Sequence, residues 1–169
     1  MLANLSSRLV FAGLALLAAV AMGFALLFLE NVLNLEACPL CMSQRVFVVL
    51  WGVVALLAAV HNPGTMGRRI YAGLCGLSAF VGALIAARHT WLQHLPEDQV
   101  PACGPSLEFL LENFPLQEAI STMLMGDGNC AEIDWTLLSL SIPEQTLLLF
   151  CFVMLICLWQ GIRRLPEGH

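Results

Sequence analysis

Lysine is absent from this 169-residue chain, and all seven of its basic residues are arginines. Charged residues of either sign make up only 11% of it, less than half the ~25% of an ordinary soluble domain. Such a chain has too few polar side chains to cover a water-facing surface. A wholly aqueous setting is excluded, and part of its solvent is lipid. With a net charge of −5 and no basic run, a nucleic-acid partner is excluded as well. The sequence contains no glycine-rich phosphate loop and no flavin or nicotinamide fingerprint.

What the chain has in abundance is apolar sequence, 59% of the total. It falls into four runs, about residues 10–29, 41–60, 70–87 and 145–162, each close to the ~20 residues a helix needs to cross a bilayer. The first, third and fourth carry no charge, and the second carries only Arg45. The runs are uniformly apolar and lack the alternation of a barrel strand, so helices are the economical solution. The expected fold is an all-α membrane protein: one four-transmembrane-helix bundle with two outer loops, about 30–40 and 88–144. Ala19-Val20-Ala21 resembles a signal-peptide cleavage site, but the apolar run continues through "MGFALLFL", so a retained first span is expected.

Arg8, Arg68, Arg69, Arg163 and Arg164 flank the spans on one side. The positive-inside rule makes that side cytoplasmic, with both termini. Eleven of the twelve acids lie in the two outer loops; only Glu167 does not.

This orientation puts Cys38, Cys41, Cys103 and Cys130 outside, an even set for which disulfides are the default in an oxidising compartment. Cys75, Cys151 and Cys157 fall within spans and read as packing residues. In Cys38-Pro39-Leu40-Cys41 the proline suits the first helical position. Cys38 is then expected near the N-cap and Cys41 in the first turn, where the helix dipole favours a thiolate. Arg45 follows Cys41 by four residues, on the same face. An arginine so near hydrocarbon needs a partner and is a functional candidate, the plainer alternative being that it snorkels to a lipid phosphate. No metal site is expected, because Cys103 and Cys130 are separated by 26 residues and only His89 and His94 face outward. Met42 after Cys41 excludes haem attachment.

The long outer loop contains two short amphipathic helix candidates. Leu107, Leu110, Leu111 and Phe114 form one stripe; Leu116, Ala119, Ile120, Met123 and Leu124 form the other, after Pro115. These segments can lie on the membrane or form a small core, and the pattern suits both. A Cys103–Cys130 disulfide would close the loop with a benefit of ~3–4 kcal/mol; it would serve as a staple or as a labile, exchanging bond.

Four spans, C-x-x-C opening the second, Arg45 four residues on, two cysteines in the later loop, "HTWLQ" after span three and "CAEIDW" at the last outer cysteine together resemble the DsbB family of bacterial inner-membrane disulfide-generating proteins. The resemblance implies a thiol:quinone oxidoreductase with its cysteines facing the periplasm. A DsbA-type dithiol oxidase would attack a Cys103–Cys130 disulfide, forming the mixed disulfide at Cys103. Electrons would pass to Cys38–Cys41 and then to ubiquinone or menaquinone. The family pattern also implies that Cys41 meets the quinone as a thiolate, that Arg45 supports quinone binding, and that His89 lies close to the ring. Independently of the family, Arg88 beside His89 either adds to a positive field at the quinone or contacts lipid phosphate. Two rival readings remain: a vitamin K epoxide reductase-like enzyme, which normally carries its C-x-x-C on a late span, and a disulfide-stapled membrane scaffold without turnover.

Overall fold

A computed structural model describes residues 6–35, 37–102, 109, 113–137 and 139–163. Its order is α1 (Ser7–Gly23, continued by wider π-helical turns over Phe24–Glu30), α2 (Pro39–His61), α3 (Thr65–Gln93), α4 (Leu116–Met125), the strands β1 (Thr136–Leu137) and β2 (Leu140–Ser141), and α5 (Ile142–Ile162). Four helices, Ser7–Glu30, Pro39–His61, Thr65–Gln93 and Ile142–Ile162, are long and apolar enough to cross a membrane. The four-helix membrane architecture expected from the apolar runs is thus the one found.

α3 packs between α2 and α5, and α2 packs on α1. Their shared core is small-residue rich, with Ala18, Ala55, Ala58, Ala72, Ala79, Ala83 and Ala86 buried around Phe11, Trp51 and Phe150. Small side chains let helices approach closely where lipid offers no hydrophobic drive for association. Gly82 is the tightest case: a Cβ there would come within 2.3 Å of Cζ of Phe150. Outward-facing Leu, Val and Phe side chains such as Leu16, Leu57, Leu77 and Leu155 stay exposed, as a lipid-facing surface requires.

Three features depart from the apolar boundaries. α3 runs to Gln93, six residues beyond the expected span, so His89 sits on a helix and not in the outer loop. The cause is that helical hydrogen bonding continues into polar sequence where water can solvate it. The last turns of α1 widen, with Asn31 N–H reaching Leu26 O and Leu33 N–H reaching Phe28 O. Finally, a two-residue antiparallel pairing, Thr136 with Ser141 and Leu137 with Leu140, interrupts the all-helical plan just before α5. Glu144 accepts from Ser141 N–H at 2.7 Å and so starts α5. The second amphipathic stripe forms α4, whereas the first, over residues 107–114, lies largely outside the described residues.

Candidate functional site

Proline at the first position of α2 fixes the geometry of the C-x-x-C. Cys38 is the N-cap, in extended backbone, and its Sγ accepts from Cys41 N–H at 3.4 Å. A sulfur therefore takes the place of the usual oxygen cap and satisfies one of the unpaired N–H groups of the first turn. Both sulfurs are free thiols and half-buried.

The helical face beginning at Cys41 continues through Gln44, Arg45 and Val48, an i, i+3, i+4, i+7 series. All four line an apolar pocket of about 270 Å³, closed on its other sides by Ala21, Met22, Phe24, Ala25 and Leu29 of α1 and by Ile142, Gln145, Thr146 and Leu149 of α5. The widened turns of α1 supply Phe24, Ala25 and Leu29, and they also bring Glu30 against Arg45 in an ion pair. Arg45 thus has a carboxylate partner within the protein, which answers the need its depth creates.

Cys38 does not line that pocket. Its neighbours are His89, whose Nε2 lies 3.7 Å from Cys38 Sγ, and Cys130, with which it shares a hydrogen bond. That bond, burial and the charge of Cys38 all push the Cys130 thiol well above the ordinary thiol range. Cys130 reaches this place because Gly126 lets the loop fold tightly onto α2 and α3. Gly126 has φ 75°, and a Cβ on it would meet Leu92 Cδ1 at 2.6 Å and Leu40 Cδ1 at 2.8 Å. Leu40, Leu92 and Cys130 then bury one another. The loop is held from α3 as well: Arg88 donates to Met125 O at 3.2 Å and Gln93 to Glu132 O at 3.2 Å. Trp135 of "CAEIDW" meets Phe24 at a tilt and Phe28 edge to face, with ring centres 6.0 and 6.1 Å away.

His89, buried beside both thiols, contacts Cys41 Sγ through Nδ1 at 4.0 Å and accepts from Gln44 Nε2 at 3.0 Å on the same nitrogen. It is absent from the lining of the pocket and touches it through Cys41 and Gln44. Gln44, only 3% exposed, is the residue sequence reasoning missed; a buried amide one turn from Cys41 in an apolar helix was the available signal. Arg88, exposed, donates to Met125 O at 3.2 Å and lies 4.6 Å from the centre of the Trp91 ring. Cys103 lies outside the described residues, and so does any bond it makes to Cys130. Cys38, Cys41 and His89 also offer three ligand atoms within 4.8 Å of one another. The spacing argument against a metal overlooked this cluster because His89 arrives from another helix; a tetrahedral centre would still need a fourth ligand.

The family model described as "Disulfide bond formation protein DsbB" matches residues 7–160. The chain belongs to the DsbB family. Among curated relatives, the Disulfide bond formation protein B of Saccharophagus degradans is 48% identical over 140 residues, covering 83% of this chain and 84% of that protein. That of Acinetobacter baumannii is 47% identical over 164 residues, 96% of this chain and 95% of its own. Disulfide bond formation protein B 1 of Pseudomonas aeruginosa is 48% identical over 151 residues, 89% and 93% of the two chains. No solved structure matches. As a DsbB-family member the chain is a multi-pass membrane protein of disulfide bond formation, with the oxidoreductase role that this implies.

Proposed function

We propose that this protein reoxidises a periplasmic DsbA-type dithiol oxidase and delivers the electrons to a membrane quinone, from the bacterial inner membrane, with the termini in the cytoplasm and Cys38, Cys41, Cys103 and Cys130 on the periplasmic side. The observation that carries this reading is the division of the C-x-x-C. Cys41 faces an apolar pocket between helices, while Cys38 faces Cys130 of the outer loop.

The pocket suits the head of a quinone. Its walls are mostly apolar; Cys41, Gln44 and Arg45 present a thiol, an amide and a guanidinium on one face of α2, and Gln145 and Thr146 of α5 add an amide and a hydroxyl. Its about 270 Å³ is near the lower end of the range for small-molecule sites, which fits a ring whose tail continues into lipid. Ubiquinone or menaquinone would supply an acceptor for two electrons and two protons. Cys41 would present its sulfur to that acceptor, stabilised as a thiolate by the first turn of α2. Arg45, held by Glu30, would place positive charge where negative charge develops. His89 would hold a proton on Nε2, beside Cys38, while Gln44 donates to Nδ1.

The outer half is thiol–disulfide exchange. One partner thiolate attacks Cys103 of a Cys103–Cys130 disulfide and releases Cys130; the second partner thiol then frees Cys103 and closes the partner's own disulfide. The released pair hands its two electrons to a Cys38–Cys41 disulfide by the same chemistry, through the adjacent Cys130 and Cys38 sulfurs. The test is to mix purified protein, a reduced partner dithiol and a soluble quinone analogue, and to follow quinone absorbance. Turnover abolished in both Cys41→Ser and Cys103→Ser is the expected result. A rate equal to that without protein would refute the proposal and leave a stapled scaffold.

A further inference from the structure

The end of the bundle remote from the thiols holds a second polar cluster, which disulfide chemistry does not use. Arg68 of α3 is 1% exposed and Gln160 of α5 is fully buried. Arg68 donates from Nη2 to Arg163 O at 2.7 Å. Arg163, half-buried, donates from its own Nη2 to Ser7 Oγ at 3.0 Å and lies 4.6 Å from the centre of the Trp159 ring. After these bonds, Nε and Nη1 of Arg68, Nε and Nη1 of Arg163 and both amide atoms of Gln160 have no partner. Burial, first, and the nearby Arg68 charge both push the Arg163 guanidinium down.

Nothing among the described residues compensates them. The two ion pairs found there, Arg45–Glu30 and His94–Glu144, are both at the thiol end. The acids among the described residues belong to that end, and Glu167 lies outside the described residues. Covered charges without a counter-charge are costly, and buried donors are as a rule satisfied.

Next to this cluster a groove of about 660 Å³ follows the lipid-facing seam of α3 and α5. On α3 it extends from Arg69 past Gly73 and Gly76 to Phe80, ~16 Å of helix, or about half the hydrocarbon thickness. Arg69, exposed at the mouth, is its one charged residue. The groove is therefore an apolar trough as long as much of an acyl chain, ending at the Arg69 guanidinium at the level of the headgroups.

We propose that this end of the bundle binds an anionic phospholipid, with one acyl chain along the α3–α5 groove and the phosphate against Arg69 and Arg163. Arg68 and Gln160 stand behind them as covered donors, so the lipid supplies a counter-charge that none of the described residues gives them. A zwitterionic headgroup would bring its own cation and leave the site uncompensated. Basic pockets between membrane helices commonly hold anionic headgroups.

The test uses the full-length protein in detergent. Retention of phosphatidylglycerol and phosphatidylcholine is compared by native mass spectrometry, and melting temperature is followed with each lipid added. The wild type is expected to retain phosphatidylglycerol preferentially and to be stabilised by it. Arg69→Gln and Arg163→Gln should each cut that preference about fivefold. Arg69 is exposed, so its replacement tests binding without disturbing the core. Equal retention of the two lipids, or an unchanged preference in the Arg69→Gln, Arg163→Gln double variant, overturns the proposal. Stabilisation by inorganic phosphate equal to that by phosphatidylglycerol would also overturn it, in favour of a free-anion site. So would a wild type indifferent to lipid but destabilised by Glu167→Gln, which would assign the counter-charge to the chain itself. None of these outcomes bears on the thiol chemistry at the opposite end.

Discussion

Replacing Gln44 with leucine removes a buried amide at nearly constant volume and leaves Nδ1 of His89 without its 3.0 Å donor. Both residues are 3% exposed, and the leucine side chain would fill the vacated place without offering a donor. A buried group stripped of its partner costs ~1–3 kcal/mol in a protein interior, but side-chain hydrogen bonds between membrane helices average nearer ~0.6 kcal/mol, with a maximum of ~1.7. Gln44 is on α2 and His89 on α3, so the second range governs, and a coupling of ~0.5–1.7 kcal/mol is expected. The assay is a double-mutant cycle of Gln44→Leu and His89→Leu, read from unfolding in mixed micelles. The same variants in quinone turnover should lose kcat with little change in KM for the partner dithiol, because Gln44 fixes which ring nitrogen carries the proton beside Cys38. If the two single effects add to within ~0.3 kcal/mol and Gln44→Leu turns over like the wild type, the role assigned to this amide is wrong.

Glu30→Gln leaves Arg45 without its carboxylate; KM for the quinone analogue should change severalfold while thiol exchange with the partner stays intact, as separate single-turnover measurements would show. Gly126→Ala places a methyl group within 2.8 Å of both Leu92 and Leu40 at a positive φ, costing ~1–3 kcal/mol; electron transfer between the two cysteine pairs should slow more than quinone binding weakens. Cys130, whose thiol is pushed up by Cys38 and burial, should be alkylated by iodoacetamide at pH 8.5 far more slowly in the folded protein than after denaturation. Because the raised value belongs to the folded state, its contribution to stability is complete below the ordinary thiol value of ~8.5 and declines as pH rises beyond it. A melting temperature in Cys130→Ser that falls as steeply above pH 9 as in the wild type would contradict this.

The spans were legible because a lipid solvent leaves so little freedom: an apolar run of the right length has helix as its only solution. The N-cap role of Cys38 was equally readable, since a proline at the first helical position fixes where α2 begins. What sequence could not supply was anything created by one helix meeting another. The Glu30–Arg45 pair depends on π-helical turns that shift the register of α1, and no local pattern in "FALLFLE" announces them. His89 was expected close to a quinone ring, whereas its contacts with both thiols and with Gln44 required the crossing of α2 and α3. The meeting of Cys130 with Cys38 depends on a single glycine at 126, whose positive φ and close approach to Leu40 and Leu92 exist only once the loop is folded onto the helices. The arginines at the other end were counted for orientation, and only packing revealed that two of them share one covered place.

The sulfur that caps α2 has a consequence of its own. Cys38 Sγ accepts from Cys41 N–H at 3.4 Å, and an electron-rich thiolate is a better acceptor than the same atom in a disulfide. Each turn of the redox cycle should therefore tighten and slacken the opening of the helix. Deuterium uptake at the backbone amide of residue 41 then becomes a gauge of oxidation state, readable without any chromophore and without altering a single residue.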